Sequence, residues 1–140
     1  MITKFISLIL LLVNIEKNNW IYLFNGKNLD GWEVKIRGYD FGKNYRNTFK
    51  VEDGSIKVSY EGYRKFGDRF GHLFYTKKEF KNYILSLDYK FSGEHLRGAP
   101  GWSIKNSGVM LHSQEPRTML KNQEFPVYNW KKNKAYGTRE

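Results

Sequence analysis

Residues 83–91 read YILSLDYKF, and their side chains alternate between apolar or aromatic and polar character. Alternate side chains of an extended chain point to opposite faces, so this period of two is typical of a strand with one buried face. The members of the apolar face are Tyr83, Leu85, Leu87, Tyr89 and Phe91. The stretch predicts a half-buried β-strand and makes β structure the starting hypothesis for the chain.

The same period recurs in residues 48–52 and 55–60, which are joined through Asp53 and Gly54. An Asp-Gly pair tolerates positive φ and favours a two-residue hairpin turn. Shorter candidate strands are residues 21–24, 32–36, 72–75 and 108–113. No segment carries a convincing helical period, so we expect an all-β chain.

Composition limits the kinds of protein to consider. The chain has 140 residues, a formal charge of +10 and no cysteine. This length suits one domain, and the lack of cysteine excludes disulfide scaffolds, thiolate metal sites and cysteine nucleophiles. The positive charge permits acidic partners, but the basic residues are dispersed through loops without a recognised nucleic-acid motif. We therefore expect no nucleic-acid partner.

The first 19 residues differ from the rest. Lys4 is followed by FISLILLLV, an apolar run at residues 5–13. It is short of the about 20 residues of a membrane-spanning helix and within the about 7 to 15 residues of a signal-peptide core. We expect an export signal, a periplasmic or extracellular location, and no membrane span apart from this segment. An uncleaved anchor or a buried N-terminal segment stays open, because residues 14–19 lack a small-x-small cleavage pattern.

Four stretches occur together in a characteristic order. They are LFNGKNLDGW at residues 23–32, FKVEDG at 49–54, GHLFY at 71–75 followed by 83–91, and Trp102 followed by NSGVMLH at 106–112. Over roughly residues 20–127 the set resembles the 3-keto-disaccharide hydrolase domain family. The resemblance implies an exported domain with a concanavalin-like jelly-roll β-sandwich fold that hydrolyses oxidised disaccharide glycosides.

The resemblance ends at Val127. Relatives continue from the Phe-Pro element, matched by residues 125–126, into a strand with a Glu-x-Gln pattern, whereas residues 128–140 read YNWKKNKAYGTRE without alternation. We interpret residues 1–19 as a signal peptide or hydrophobic segment, 20–127 as the N-terminal part of a hydrolase-like domain, and 128–140 as a basic tail. The sandwich is then expected to be incomplete, with partner strands for residues 83–91 and 108–113 missing.

The candidate catalytic residues are Asp88 and His112. Glycoside cleavage in its usual form needs two carboxyl groups about 5 to 9.5 Å apart. The family's downstream glutamate does not occur here, and Asp88 and Glu52 are equally consistent with solvated strand faces. An eliminative route on a keto-sugar would need a general base, for which His72 and His112 are candidates, with a structural histidine as the alternative. We assign no metal, and no cofactor is evident from the sequence.

Substrate binding is assigned to Trp102, Asn106, Ser107, His72 and His112. An indole ring can stack on a sugar, and an amide and a hydroxyl offer the donors and acceptors that sugar hydroxyls need. The alternative for Trp102 is packing in the core. The alternative for Asn106 and Ser107 is turn formation.

Long polar loops at residues 37–47, 61–69 and 92–105 carry further aromatic side chains. Such rings are plausible stacking surfaces, or they cover sheet edges. The sequence therefore predicts an exported enzyme, resembling a glycoside hydrolase, that acts on glycosidic bonds of 3-keto-disaccharides or related sugars and that truncation could inactivate. The alternative is a non-catalytic carbohydrate-binding module of the same fold.

Overall fold

A computed structural model describes residues 19–111 and 113–126. Residues 1–18 of the predicted export segment, His112 and the predicted basic tail lie outside these ranges. Within them, no helix is long and apolar enough to cross a membrane.

The described residues form four strands and three short 3-10 helices, which is consistent with the all-β fold that the sequence predicts. The strands are β1 (Trp32–Ile36), β2 (Phe49–Glu52), β3 (Ser55–Val58) and β4 (Gly71–Tyr75). The 3-10 helices are Tyr45–Asn47, Gly101–Ser103 and Pro116–Thr118. The strands pair as two antiparallel two-stranded sheets, β1 with β4 and β2 with β3.

The β2–β3 hairpin forms as the sequence predicts. Asp53 and Gly54 adopt φ values of 51° and 69°, the left-handed conformation that a tight two-residue turn requires. Phe49 lies opposite Val58, and Val51 lies opposite Ile56. The turn therefore sets a register that keeps the apolar side chains of both strands on one face.

The β1–β4 sheet pairs Trp32 with Tyr75 and Ile36 with Gly71. The predicted strand 32–36 matches β1, and β4 begins one residue before the predicted 72–75. One face of this sheet meets the hairpin through a core of Val34, Ile36 and Phe49. Leu29, Tyr39, Tyr45 and Leu73 pack around that core.

The segment before β1 is a series of turns, so the predicted strand at 21–24 is wrong. Asn25 Oδ1 accepts from the backbone N–H groups of Lys27 and Asn28 at 2.8 and 3.0 Å. Trp32 Nε1 donates to Leu23 O at 2.8 Å. Side-chain hydrogen bonds of this kind compete with strand pairing. They fold the LFNGKNLDGW stretch back on itself, and β1 begins at its last residue, Trp32.

The opposite face of the β1–β4 sheet holds a buried cation. Lys35 is 1% exposed, and its Nζ donates to Ile36 O, Tyr39 O and Lys121 O at 3.1, 2.9 and 2.9 Å. Burial lowers the pKa of Lys35, against the opposing field of Asp40. All three ammonium protons have acceptors, so this side chain ties β1 to its following turn and to a segment 86 residues away.

Residues 83–91 are not a strand, and neither are residues 108–111, so both of these strand predictions are wrong for the described structure. Ser113 forms only an isolated bridge. Tyr89 is 76% exposed, and Leu85, Leu87 and Phe91 are exposed as well. Alternation indicates that the side chains suit the two faces of a strand. A strand also needs the backbone of a neighbouring strand as its hydrogen-bond partner. No described segment offers that edge to residues 83–91.

Replacing Lys35 tests the importance of the buried cation. We expect Lys35→Met to lower the free energy of unfolding by about 1–3 kcal/mol, because lost bonds to a charged donor outweigh the relief of its desolvation. Urea unfolding followed by circular dichroism measures the change. Lys57→Met is the control, since the Lys57–Glu52 ion pair is exposed and should matter less. An equal or smaller effect of Lys35→Met would contradict the assignment.

Candidate functional site

Four rings form a connected row, here called the Phe70 cluster: Phe70, His72, Trp102 and Phe125. The Trp102 ring lies parallel to Phe70, with an interplanar angle of 3° and centroids 5.7 Å apart. Phe125 contacts both Phe70 and His72, at centroid distances of 5.2 and 5.7 Å. The cluster brings together two of the predicted substrate-binding residues, Trp102 and His72.

The local backbone explains how these rings meet. Phe70 immediately precedes β4, and side chains two residues apart along an extended chain share a face, so Phe70 and His72 point the same way. Trp102 is carried by the turn of Gly101–Ser103, where Ser103 N donates to Pro100 O at 2.9 Å. Phe125 lies four residues after Lys121, whose backbone O accepts a hydrogen bond from Lys35 Nζ.

His72 is mostly buried and carries a fixed hydrogen bond. Its Nε2 lies 2.7 Å from Glu124 O, and a carbonyl oxygen can only accept, so Nε2 carries a proton. Burial lowers the pKa of His72, and the nearby charge of Lys35 lowers it further, against the raising effect of the Glu124 carbonyl. The neutral ring then keeps Nδ1 as an acceptor. This arrangement fits a histidine that positions the cluster.

Trp102 is the exposed end of the cluster, with 57% of its surface accessible. Asn106 Nδ2 donates to Trp102 O at 3.1 Å, so this amide holds the loop that carries the ring. Ser107 is exposed next to it. An indole backed by a parallel phenyl ring offers a fixed flat apolar surface with polar groups beside it.

The structure does not bring Asp88 into this cluster. Asp88 is exposed on residues 83–91, where no hydrogen bond or ion pair joins it to another described residue. Glu52 is occupied by Lys57 and Lys50, and the hydrogen bond from Lys57 lowers the pKa of its carboxyl. Across residues 19–111 and 113–126, no group of three or more His, Asp or Glu could hold a metal ion.

A shallow cavity of about 230 Å³ lies elsewhere, lined by residues 76–79 and 115–117. It contains none of the predicted site residues. Its lysine Lys77 is paired with Asp30 at 2.6 Å, and Arg117 lies 3.7 Å from Glu115. Cations and carboxylates largely neutralise each other there.

Phe70 and Phe125 were not predicted as site residues. The alternation of Phe70, His72 and Phe74 is a signal that could have placed Phe70 beside His72. Phe125 has no such local signal, because its contact with His72 joins residues 53 positions apart.

A family profile described as a 3-keto-alpha-glucoside-1,2-lyase-like domain matches residues 19–138. The chain belongs to this family.

A relative within the curated proteins is a 3-keto-disaccharide hydrolase of Bacteroides thetaiotaomicron, 30% identical over 102 residues. The match covers 72% of this chain and 30% of the relative, so the chain spans less than a third of that protein's length. Together the two matches confirm the family that the ordered motifs resemble. No solved structure matches the chain significantly.

The matched range of the 3-keto-alpha-glucoside-1,2-lyase-like domain contains the whole Phe70 cluster. The matched range also extends to residue 138, beyond Val127, where the resemblance in the sequence motifs ends. The domain boundaries at residues 19, 127 and 140 stay predictions.

The buried state of His72 predicts a pH effect on stability. Because its folded pKa lies below the usual value of about 6.5, the unfolded chain binds the proton more readily between those two values. The free energy of unfolding should fall as pH is lowered from about 6.5 through the folded pKa. Urea unfolding at several pH values measures it, and an NMR titration of the ring gives the folded pKa. His72→Phe keeps a ring against Phe125 and should lack this part of the pH dependence; an unchanged dependence would count against the assignment.

Proposed function

We propose that the chain belongs to an exported, periplasmic or extracellular domain that cleaves glycosidic bonds of 3-keto-disaccharides, with a sugar ring resting on Trp102. The family and the printed name of the Bacteroides relative support the substrate class. The single observation that carries the site is the exposed Trp102 ring lying parallel on Phe70.

Support for the sugar platform comes from its rigidity and polarity. The apolar C–H face of a sugar stacks on an aromatic ring, and a ring that is already held parallel to a neighbour loses little freedom on binding. Asn106 and Ser107 follow Trp102 by four and five residues, and their exposed amide and hydroxyl offer donors and acceptors to sugar hydroxyls.

The chemistry of a 3-keto-sugar fits a site without a carboxylate pair. A carbonyl at C3 acidifies the proton on C2, so one general base can remove it while the C1–O bond breaks. The electron pair of the C2–H bond forms a C1=C2 double bond. The leaving oxygen takes a proton from the protonated base or from water and departs as an alcohol. We propose Asp88 and His112 as candidates for the base, with His72 as a positioning residue.

The second candidate function is a carbohydrate-binding module that performs no chemistry. It is favoured by the exposure of Asp88 and by its lack of a described partner. Such a module needs the Trp102 platform and no base.

We further propose that the fold is a concanavalin-like jelly-roll sandwich of which the described sheets are a part. The exposed apolar side chains of Leu85, Leu87 and Phe91 support this, because each sheet of a sandwich covers the apolar surface of the other.

Trp102→Ala tests the platform. We expect it to weaken binding of a 3-keto-disaccharide about tenfold, equivalent to about 1.4 kcal/mol, because the stacked apolar contact is lost. Calorimetric titration measures the affinity, and circular dichroism checks that the variant is folded. Tyr22→Ala removes an exposed ring outside the cluster and serves as the control. Equal losses in both variants would contradict a specific role for Trp102.

Turnover separates the enzyme from the binding module. The enzyme should release monosaccharide from a 3-keto-disaccharide and leave the unoxidised disaccharide intact, because only the ketone acidifies the C2 proton. Asp88→Asn and His112→Gln should identify the base, with a loss of about 100-fold or more in kcat for the correct one. Tight binding without product release would select the module instead.

A further inference from the structure

A second set of rings lies on the other face of the β1–β4 sheet, and we call it the Tyr45 cluster: Tyr39, Tyr45, Tyr63, Arg46 and Arg69. The Tyr39 ring stacks on Tyr45 with centroids 4.3 Å apart, and Tyr63 meets Tyr45 edge-on at 5.3 Å. Tyr39 and Tyr45 pack against the core of Val34, Ile36 and Phe49. The cluster is therefore anchored on the hydrophobic core.

Two guanidinium groups lie close to the central ring. The Cζ atoms of Arg46 and Arg69 lie 5.4 and 5.3 Å from the centroid of Tyr45. Arg46 Nε donates to the Tyr45 hydroxyl at 2.8 Å, and Arg69 Nε lies 3.4 Å from the Tyr39 hydroxyl. Both cations thus converge on one pair of stacked phenol rings.

Neither arginine has a carboxylate partner among the described residues. The ion pairs of this part of the chain involve Arg37, Lys50, Lys57, Lys77, Arg117 and Lys121 instead. Arg69 Nη1 donates to Phe66 O at 3.0 Å, while the described hydrogen bonds leave its Nη2 and both Nη groups of Arg46 without an acceptor. Two cations within 5.4 Å of the same ring centroid, with unused donors and no counter-charge among the described residues, are suited to an oxyanion.

The loop that presents Arg46 is held in a costly conformation. Arg46 and Asn47 both have left-handed φ values, 50° and 54°. Asparagine tolerates this conformation, whereas in a residue such as arginine it costs about 1–3 kcal/mol. Asn44 fixes the loop by donating to Phe49 O at 2.6 Å and accepting from Phe49 N at 3.1 Å. The guanidinium of Arg46 is therefore presented by a backbone that its neighbours hold in place.

We propose that the Tyr45 cluster is a binding site for an acidic sugar, with Arg46 and Arg69 holding its carboxylate and the tyrosine hydroxyls contacting its ring hydroxyls. The phenol groups distinguish this site from a simple phosphate site, because they add amphipathic rings to the cations. The site lies apart from the Phe70 cluster and does not depend on the reaction proposed there. It would let one domain hold a charged saccharide at one surface and a neutral keto-sugar at the other.

Glucuronate, glucose and inorganic sulfate are the probes, titrated into the full chain at low and moderate salt and followed by NMR shifts of the tyrosine rings and by calorimetry. We expect glucuronate to bind and glucose to bind at least about tenfold more weakly, because only the former carries the carboxylate. Arg46→Gln should weaken glucuronate binding about tenfold or more. Arg64→Gln, an exposed arginine of the 61–69 loop, is the matched control and should stay within about twofold of wild type.

Arg69 also supports its own loop through Phe66 O, so Arg69→Lys is used as the conservative variant. It keeps the charge and loses the planar fork, and we expect partial loss of binding without unfolding. Trp102→Ala should leave glucuronate binding unchanged, which separates this site from the Phe70 cluster. Absence of glucuronate binding, or wild-type affinity in Arg46→Gln, would overturn the proposal. Sulfate binding as tightly as glucuronate would overturn its sugar specificity.

Discussion

The described structure depends on the ammonium group of Lys35. Its three hydrogen bonds join β1, the turn at Tyr39 and the backbone at Lys121 in one buried point. This contact holds residues 121–125 near β4 together with the bonds from Gly38 N to Lys121 O and from Arg37 to Asn122 O and the Glu124 carboxylate. The segment brings Glu124 O to His72 and Phe125 into the row of rings. A buried charge is costly unless every donor is satisfied, so its geometry admits few alternatives. This side chain therefore helps to order the surface on which the Phe70 cluster rests.

Parts of this fold follow from local sequence. The hairpin could be predicted because Asp53 and Gly54 carry the turn conformation themselves, and the alternation of residues 32–36 matched β1 to the residue. Residues 83–91 have the strongest alternation in the chain and form no strand, because a strand depends on a partner that its own sequence does not reveal. In the site, Trp102 and His72 could be proposed individually. Their connection through Phe125, and the burial of Lys35, arise from contacts between distant residues that a local pattern cannot show.

The two ring clusters divide the β1–β4 sheet between them. Arg69 and Phe70 are consecutive residues just before β4, yet Arg69 reaches Tyr45 and Phe70 reaches Trp102. Successive side chains of an extended chain point to opposite faces. Arg69 therefore joins the Tyr45 cluster on one face, and Phe70 joins the Phe70 cluster on the other. The face with arginines and tyrosine hydroxyls and the face with Trp102 are thus the two sides of the same two-stranded sheet. A change at the start of β4 is transmitted to both.

The separation of Lys35 and Lys121 along the chain has a consequence for biosynthesis. Bonds between such distant residues carry a high loop-closure cost and form late in folding. A nascent chain can assemble the β2–β3 hairpin as soon as those residues leave the ribosome. The ammonium of Lys35 acquires its last acceptor only after residue 121 has been made. During that interval water satisfies the ammonium group, and its burial has to wait for residue 121.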